Sequence, residues 1–294
     1  MPRPEETYFL LEEPHSLYDG ARAAILPLPF ERTTTYGKGT ARGPAAILLA
    51  SHALELYDDE LDSEPFRIGV ATLPPLLPES PDLGAALGEI RAEARRHLEA
   101  GKVVVALGGE HSLSSALALA ARDVHGEVGV VQLDAHADLR EEYEGSPWSH
   151  AAVMRRLVDA GFPTLAVGIR SLSTPEAELV RERELPILWG RDLQSESVLA
   201  RFRRRLEALP DRVYLTIDID FFDPALVPAT GTPEPGGAAW YPTLALLRSL
   251  FRRKRVVAMD LVELAPIAGQ PASDFLAAKL VYKCLGYLQE AEKA

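Results

Sequence analysis

The sequence predicts an α/β fold in which a parallel sheet carries helices on both faces. Three observations predict it. Short apolar runs alternate along the chain with longer amphipathic stretches. Several of these runs are almost entirely apolar, which is typical of parallel strands buried on both faces. The strand–helix alternation is also repeated along the whole chain, as crossover connections between parallel strands require.

Eight short apolar runs are predicted as strands, and their carboxyl ends are expected at one edge of the sheet, where binding sites form in folds of this kind. The predicted strands are Ala23–Pro27, Ile68–Ala71, Val103–Leu107, Val128–Asp134, Thr164–Ile169, Pro186–Leu188, Arg212–Asp218 and Arg255–Leu261.

Eight longer stretches are predicted as helices. The first begins with Gly43 and Pro44, and proline is tolerated in a first helical turn. The second carries an apolar stripe at helical spacing. The predicted helices are Gly43–Leu54, Leu83–Glu99, Ser112–Ala121, His150–Ala160, Pro175–Arg183, Ser197–Leu209, Tyr241–Phe251 and Asp274–Ala291.

The composition predicts one globular domain spanning residues 1–294. The chain has 294 residues, 47% of them hydrophobic, which is ample for a sizeable core. It contains no internal repeat, low-complexity tract or long linker. Its single cysteine, Cys284, excludes an internal disulfide and a thiolate metal cluster.

Charge and hydropathy indicate which partners to expect. The formal net charge of −12 argues against non-specific nucleic-acid binding and is compatible with a cationic substrate. No apolar run approaches the ~20 residues that a membrane helix needs. The N-terminal segment is charged and lacks the apolar run of a signal peptide. We therefore expect a cytoplasmic protein that binds neither nucleic acid nor membranes.

Four polar groups of residues follow predicted strands. Side chains at every second strand position share a face, so several of these residues can point into one pocket. The groups are Glu110 and His111 in GGEHSL, Asp134, His136 and Asp138 in DAHADL, Asp218 and Asp220 in TIDID, and Glu263 in DLVELAP.

Together, these groups favour a metal site. Four carboxylates and two imidazoles at one sheet edge would repel strongly without cations between them. Carboxylate and imidazole donors without sulfur suit Mn²⁺ or a related divalent ion, and six ligands suggest two ions. A single ion, or aspartates that only cap helices beside hydrogen-bonded histidines, remain alternatives.

Two further polar residues are left without a metal to bind. Two divalent ions ~3.5 Å apart can share a water and acidify it enough for hydrolysis near neutral pH. His150 opens a predicted helix and could move protons there, or it could simply be hydrated. Glu263 calls for a cation: either a substrate guanidinium held by two hydrogen bonds or an arginine of the protein itself.

In combination, these motifs resemble the arginase/agmatinase (ureohydrolase) family. GGEHSL, DAHADL, TIDIDFFDPALVPATGTPEPGG and DLVELAP are similar to that family's motifs, as is the early PLPFERTTTYGKGTARGPAAI. The resemblance runs in order from about Ala23 to Tyr287. It implies a three-layer α/β/α sandwich around an eight-stranded parallel sheet, and a homo-oligomer, often a trimer or hexamer.

The resemblance also implies roles for individual residues. Glu263 would receive the guanidinium, and His150 would be the proton shuttle. Asp138 would accept a proton or hydrogen bond from the intermediate, and Thr232 would line the guanidinium pocket. The implied ligands are His111, Asp134, Asp138 and Asp218 for one Mn²⁺, and His136, Asp134, Asp218 and Asp220 for the other, with Asp134 and Asp218 shared.

The implied reaction is hydrolysis of a guanidino group to urea and a primary amine. The loop before His150 carries Glu141, Glu142 and Glu144, which would repel a substrate carboxylate and attract an amine. Agmatine or an aminopropyl derivative of it, in polyamine biosynthesis, is therefore preferred; the same glutamates could instead face solvent. Arginine, guanidino or formimidoyl acids, a single-metal deacetylase-like amidohydrolase and a metal-binding protein without activity remain alternatives.

Overall fold

In the computed structural model, which describes residues 7–293, eight strands form one sheet in which every neighbouring pair is parallel. The strands are β1 (Ala23–Leu28), β2 (Val70–Thr72), β3 (Val103–Gly108), β4 (Gly129–Leu133), β5 (Thr164–Ile169), β6 (Ile187–Trp189), β7 (Arg212–Asp218) and β8 (Arg255–Val262). All eight predicted strands are confirmed in type and approximate position.

Eight α-helices accompany the strands, each at a predicted position. They are α1 (Gly43–Ser51), α2 (Leu83–Glu99), α3 (Ser114–His125), α4 (Val153–Asp159), α5 (Thr174–Glu182), α6 (Val198–Leu206), α7 (Trp240–Phe251) and α8 (Ala272–Lys293).

The predicted boundaries are wrong where single turns of 3₁₀-helix flank an element. The predicted helix at His150 begins as the 3₁₀ turn His150–Ala152, and α4 starts only at Val153. The second predicted strand begins too early: Ile68 is the last residue of a 3₁₀ turn, and Gly69, with φ of 79°, redirects the chain into β2. Tight turns at element ends keep the apolar pattern of the element they join, so the pattern alone does not separate them.

The sheet order is β2-β1-β3-β8-β7-β4-β5-β6. Its four central strands are therefore β3, β8, β7 and β4, and these are the four strands that precede the polar motifs. Because all strands are parallel, the four motifs emerge side by side at the carboxyl edge in the middle of the sheet.

Alternate residues of each strand enter two separate hydrophobic clusters, one on each face of the sheet. In β3, Val103, Val105 and Leu107 belong to one cluster, and Val104 and Ala106 belong to the other. Helices α1, α6, α7 and α8 contribute to the first cluster, and α2, α3, α4 and α5 to the second. The three-layer α/β/α sandwich is thus confirmed, while its organisation as a single domain stays a prediction. Within residues 7–293, no helix is both long and apolar enough to span a bilayer.

Candidate metal centre and active-site cavity

A cavity of about 380 Å³ opens at the carboxyl edge of the central strands. Asp134 lies beneath it and is fully buried. The other predicted site residues all line it: His111, His136, Asp138, His150, Asp218, Asp220, Thr232 and Glu263. The structure therefore brings together every residue that the sequence singled out for this site.

Two similar turns, rather than continued strands, aim the aspartates. β4 ends at Leu133, and Asp134 Oδ1 then accepts a hydrogen bond of 2.6 Å from the main-chain N–H of His136. After β7, Asp218 Oδ1 accepts one of 2.9 Å from the N–H of Asp220. The expectation that alternation along a strand presents these side chains is wrong, because each aspartate forms an Asx turn that ends its strand.

The side chains form two groups with metal-ligand spacing, and Asp134 belongs to both. His111, Asp134 and Asp218 form one group, and Asp134, His136 and Asp220 form the other, with donor atoms inside each group within 4.8 Å of one another. Nδ1 of His111 lies 3.0 Å from Asp138 Oδ2. Nδ1 of His136 lies 2.8 Å from Asp220 Oδ2. The grouping matches the predicted sharing of Asp134 between two ions.

The tautomer of His111 fits metal binding. Its Nε2 lies 2.8 Å from Thr216 Oγ1, which donates to Asp260 Oδ1 at 2.7 Å. Since the single hydroxyl proton goes to Asp260, Nε2 of His111 must carry the proton that Thr216 accepts. In the neutral ring that binds a metal, Nδ1 is then the lone-pair nitrogen. It is buried, has no hydrogen-bond partner among the described residues, and faces the carboxylates.

Without cations, the cluster retains protons. Burial, with the charges of Asp220 and Asp138, raises the pKa of Asp134 to about 7. Burial and the charges of Asp220 and Asp134 raise the pKa of Asp218 well above its ordinary range. Burial would lower the pKa of His136, but its hydrogen bond to Asp220 raises the value to about 10. Divalent cations would displace these protons and restore the carboxylates.

Glu263 occupies a strained position after β8. Its φ of 63° lies in the left-handed region, which is unusual for a residue with a side chain and recurs at functional sites. Its Oε1 accepts a hydrogen bond of 2.7 Å from the N–H of His111, so the carboxylate is joined to the ligand loop. Within residues 7–293, no arginine or lysine pairs with Glu263, and burial with the charge of Glu110 raises the pKa of its carboxyl group well above the ordinary range, so the group is available to a cation that enters the cavity.

His150 and Thr232 both line the cavity. His150 is half-buried, and its ring meets Tyr143 edge-on with centroids 5.7 Å apart. Thr232 is exposed and belongs to the loop that follows β7. The roles of both residues stay predictions.

The prediction that acidic residues of the loop before His150 face the substrate is wrong. Glu141, Glu142 and Glu144 are exposed, and none of them lines the cavity. Tyr143 and Arg140 line it instead, with the Arg140 guanidinium 5.0 Å from the centre of the Tyr143 ring. The aromatic side chain turns inward and buries apolar area, whereas the flanking carboxylates stay hydrated.

A sequence model described as the arginase family matches residues 21–286. The chain belongs to the arginase family. The N(1)-aminopropylagmatine ureohydrolase of Synechocystis sp. is 41% identical over 291 residues, which cover 97% of this chain and 95% of that protein. An agmatinase of Pyrococcus horikoshii is 33% identical, with 89% and 90% covered. The crystal structure of an agmatine ureohydrolase of Thermoplasma volcanium superposes with a TM-score of 0.86 at 29% identity, covering 95% and 94%.

Membership in the arginase family confirms two predictions, the family itself and an enzyme of the hydrolase class. The family is one of binuclear metal enzymes, in agreement with the two groups that share Asp134.

Three supporting residues of this arginase-family chain were missed by sequence reasoning. Gln132, Thr216 and Asp260 are register neighbours on β4, β7 and β8 and form a polar row beneath the metal centre. Gln132 Nε2 donates to Asp134 Oδ2 at 2.8 Å, and Asp260 also accepts a short hydrogen bond from Tyr214. A signal was present, because each is a polar residue inside an otherwise apolar buried strand, where it needs a partner.

The Thr216 hydroxyl should support metal affinity through His111. In Thr216→Val, the N–H at Nε2 of His111 loses its acceptor, so nothing keeps the proton on Nε2 and the lone pair on Nδ1. We expect the affinity of the protein for the ion that His111 would hold to fall roughly tenfold to a hundredfold, the usual cost of losing a residue that orients a ligand. Competition with a chelating dye measures it. Thr164→Val, at the start of β5, is the matched control, and equal Mn²⁺ affinity in both variants would refute the role.

Proposed function

We propose that the protein hydrolyses the guanidino group of N¹-aminopropylagmatine or agmatine to urea and a primary amine, using two Mn²⁺ ions. The observation that carries this proposal is the arrangement around Asp134. Two ligand groups meet there beneath a cavity, and the carboxylate of Glu263, which pairs with no arginine or lysine of residues 7–293, lines the same cavity.

The donor set supports manganese. Histidine nitrogen and carboxylate oxygen, with no thiolate, suit Mn²⁺ among the divalent ions. We assign His111, Asp134, Asp138 and Asp218 to one ion and His136, Asp134, Asp218 and Asp220 to the other. When bound, the two ions would supply Lewis acidity and a water acidic enough to attack near neutral pH.

The chain's own groups then have distinct roles. The buried carboxylate of Glu263 binds the guanidinium by charge-assisted hydrogen bonds and fixes the plane of its carbon. Asp138 accepts a hydrogen bond from the tetrahedral intermediate. His150 transfers a proton to the leaving nitrogen, so that the C–N bond breaks to release an amine and not an amide anion.

Glu234 is the cavity carboxylate that remains for a second cationic group of the substrate. The other candidate, Glu176, accepts hydrogen bonds from the N–H of Leu139 and from Ser173, so its oxygens are occupied. Within residues 7–293, the one ion-pair contact of the Glu234 carboxylate is with His136 Nε2 at 4.0 Å, and its side chain is 37% exposed. Arg170 donates to the Glu234 main-chain oxygen at 2.8 Å and holds its loop.

Glu234→Gln should therefore raise the KM for agmatine and for N¹-aminopropylagmatine. We expect a change of about tenfold, equivalent to about 1.4 kcal/mol, which is reasonable for one half-exposed ion pair. Glu142→Gln, in the solvent-facing loop, is the matched control and should change nothing. Loss of manganese from Glu234→Gln would instead indicate that Glu234 orients His136, and an unchanged KM would remove Glu234 from substrate binding.

One observation favours a second candidate function. Arg140 lines the cavity and forms no ion pair with another described residue, so it could bind a carboxylate of the substrate. A guanidino acid or arginine would present that group. The identities of the relatives support the polyamine substrate, since the Synechocystis enzyme named for N(1)-aminopropylagmatine is 41% identical and the Pyrococcus agmatinase 33%.

Urea release from a panel of guanidines tests the proposed function. The panel contains agmatine, N¹-aminopropylagmatine, arginine and 4-guanidinobutyrate, each with Mn²⁺-loaded and chelator-stripped protein. We expect manganese-dependent urea from the first two and a higher kcat/KM for N¹-aminopropylagmatine. Urea chiefly from arginine or guanidinobutyrate would replace the polyamine substrate with a carboxylate-bearing one, and urea from none would refute the reaction.

We also propose a homo-oligomer, a trimer or hexamer, as the family resemblance implies. Large apolar side chains on the surface support it, among them Tyr241, 79% exposed, and Phe275, 43% exposed. Light scattering after gel filtration tests it, and a monomer at micromolar concentration would refute it.

A further inference from the structure

A hydroxyl joins His150 to a buried carboxylate on another part of the chain. The loop that follows β1 brings Thr33 between His150 and Glu110. Thr33 Oγ1 lies 2.9 Å from Glu110 Oε1 and 3.0 Å from His150 Nδ1, and the main-chain N–H of His150 also donates to Thr33 Oγ1 at 3.0 Å. Glu110 is fully buried, whereas His150 reaches the cavity.

Glu110 can act only as an acceptor in this arrangement. Its Oε2 accepts from the main-chain N–H groups of Arg32 and Thr33, at 2.5 and 2.6 Å. Its Oε1 accepts from the hydroxyl of Ser112 at 2.5 Å as well as from Thr33. Four donors therefore converge on one carboxylate, which is the satisfaction that a buried ionised group requires.

The approach of the β1 loop to Glu110 depends on the glycine before it. Glu110 donates its own N–H to the oxygen of Phe30 at 2.8 Å. A Cβ at Gly109 would lie 2.1 Å from that same oxygen, so no larger residue fits there. The contact between the two loops is consequently part of the fold and forms without substrate.

Counting protons at Thr33 assigns the tautomer of His150. A threonine hydroxyl has one proton to donate and two lone pairs. The proton goes to Glu110, and one lone pair accepts the N–H of His150. Only a lone pair remains for Nδ1, so Nδ1 must carry a proton and donate it. In the neutral ring the free lone pair is then on Nε2, which has no hydrogen-bond partner among residues 7–293.

We propose that Thr33 and Glu110 are positioning residues that hold His150 with its proton on Nδ1 and its Nε2 lone pair free in the cavity. This inference rests on the proposed function and specifies how His150 would serve it. Nε2 takes a proton from the attacking water, and the resulting imidazolium is stabilised through Nδ1–H, Thr33 and Glu110. Nε2 then returns the proton to the leaving nitrogen as the C–N bond breaks, which restores the neutral ring.

Substitutions at Thr33 test the proposal through kinetics. Thr33→Val keeps the shape but removes the hydroxyl, so we expect kcat to fall roughly tenfold to a hundredfold, part of what a general acid–base contributes. KM should change by no more than about twofold, because Thr33 does not line the cavity. Thr33→Ser should restore kcat to within about threefold. Thr164→Val, at the start of β5 and outside the cavity lining, is the matched control for a threonine-to-valine change.

A double-mutant cycle separates positioning from general loop support. If Thr33 acts through His150, adding Thr33→Val to His150→Ala should cost nothing further, because the ring that it orients is gone. Additive losses, or a Thr33→Ser variant as slow as Thr33→Val, would overturn the proposal.

Nitrogen-15 NMR of the histidines tests the tautomer without any substrate. The chain has seven histidines, and comparison with His150→Ala identifies the signal in protein loaded with diamagnetic Zn²⁺. In the neutral ring, Nδ1 should give a protonated-nitrogen signal and Nε2 a lone-pair signal. The reverse assignment would overturn the proposal even if Thr33→Val failed to fold. Absence of urea release together with the expected tautomer would count against the proposed function alone.

Discussion

Asp134→Asn should remove both metal ions and lower kcat/KM by at least roughly a thousandfold, or about 4 kcal/mol of transition-state stabilisation. Asp134 is the residue that the two ligand groups share, so one substitution weakens both sites. No water could then be acidified for attack. Metal content measured by plasma mass spectrometry and urea release measured on the same sample test both parts together.

The substitution should leave the fold intact. Asparagine can still accept the N–H of His136 through its oxygen, and the Gln132 amide can rotate to face the new amide group. The metal-free variant should also be at least as stable as the metal-free parent at neutral pH. Because the folded-state pKa of Asp134 is raised to about 7, the stability it contributes is lost as the pH rises from about 3.9 towards 7.

Asp123→Asn, which breaks a surface ion pair with Arg91, is the matched control and should keep both ions and full activity. An Asp134→Asn protein that retained two ions and turnover would refute the shared site. A variant that lost one ion only would show that Asp134 belongs to a single site.

The second large effect is expected from Glu263→Gln, which should lower kcat/KM on a guanidine substrate by roughly a hundredfold to a thousandfold. Removing one partner of a buried charge pair costs ~2–5 kcal/mol, since the other charge is left without compensation. Glutamine keeps an oxygen that can accept the N–H of His111, so the ligand loop should remain in place. The measured loss then reports the charge and not the geometry.

Metal content is the internal control for Glu263→Gln and should stay at two ions per chain. Glu127→Gln, on an exposed loop, is the matched surface control and should have no effect. An unchanged kcat/KM in Glu263→Gln would mean that the guanidinium is held elsewhere in the cavity. A loss of metal in the same variant would assign Glu263 to support of His111.

The polar residues of the candidate site were predictable because they stand near the ends of apolar runs. Asp218 is the last residue of its strand, and Asp134 and His111 lie one and three residues beyond theirs; polar groups at strand ends need partners. The eight strands were predictable because burial on both faces leaves a continuous apolar run, and the eight helices because burial on one face leaves an amphipathic stretch. Asp138 and Asp220 do line the cavity, but turns and not strand alternation aim them.

Contacts between distant segments were not predictable. No local pattern indicates that Asp58, in the acidic run after Tyr57, is buried and pairs with Lys283 of α8 at 2.8 Å. Nor does the sequence indicate that Thr33 meets His150 across 117 positions. Such pairs carry no local pattern, because a single side chain finds its partner only after the elements have packed.

The sequence by itself determined which segments are strands and helices, and which polar residues stand at strand ends, because burial and periodicity act over a few neighbouring residues. Only the tertiary structure decided that β3, β8, β7 and β4 are neighbours, so that their motifs form one metal centre. It also decided that Tyr143 and not its flanking glutamates faces the cavity. Strand order and loop direction depend on the packing of whole layers. The free energy of that packing is a property of the folded chain and of no single segment.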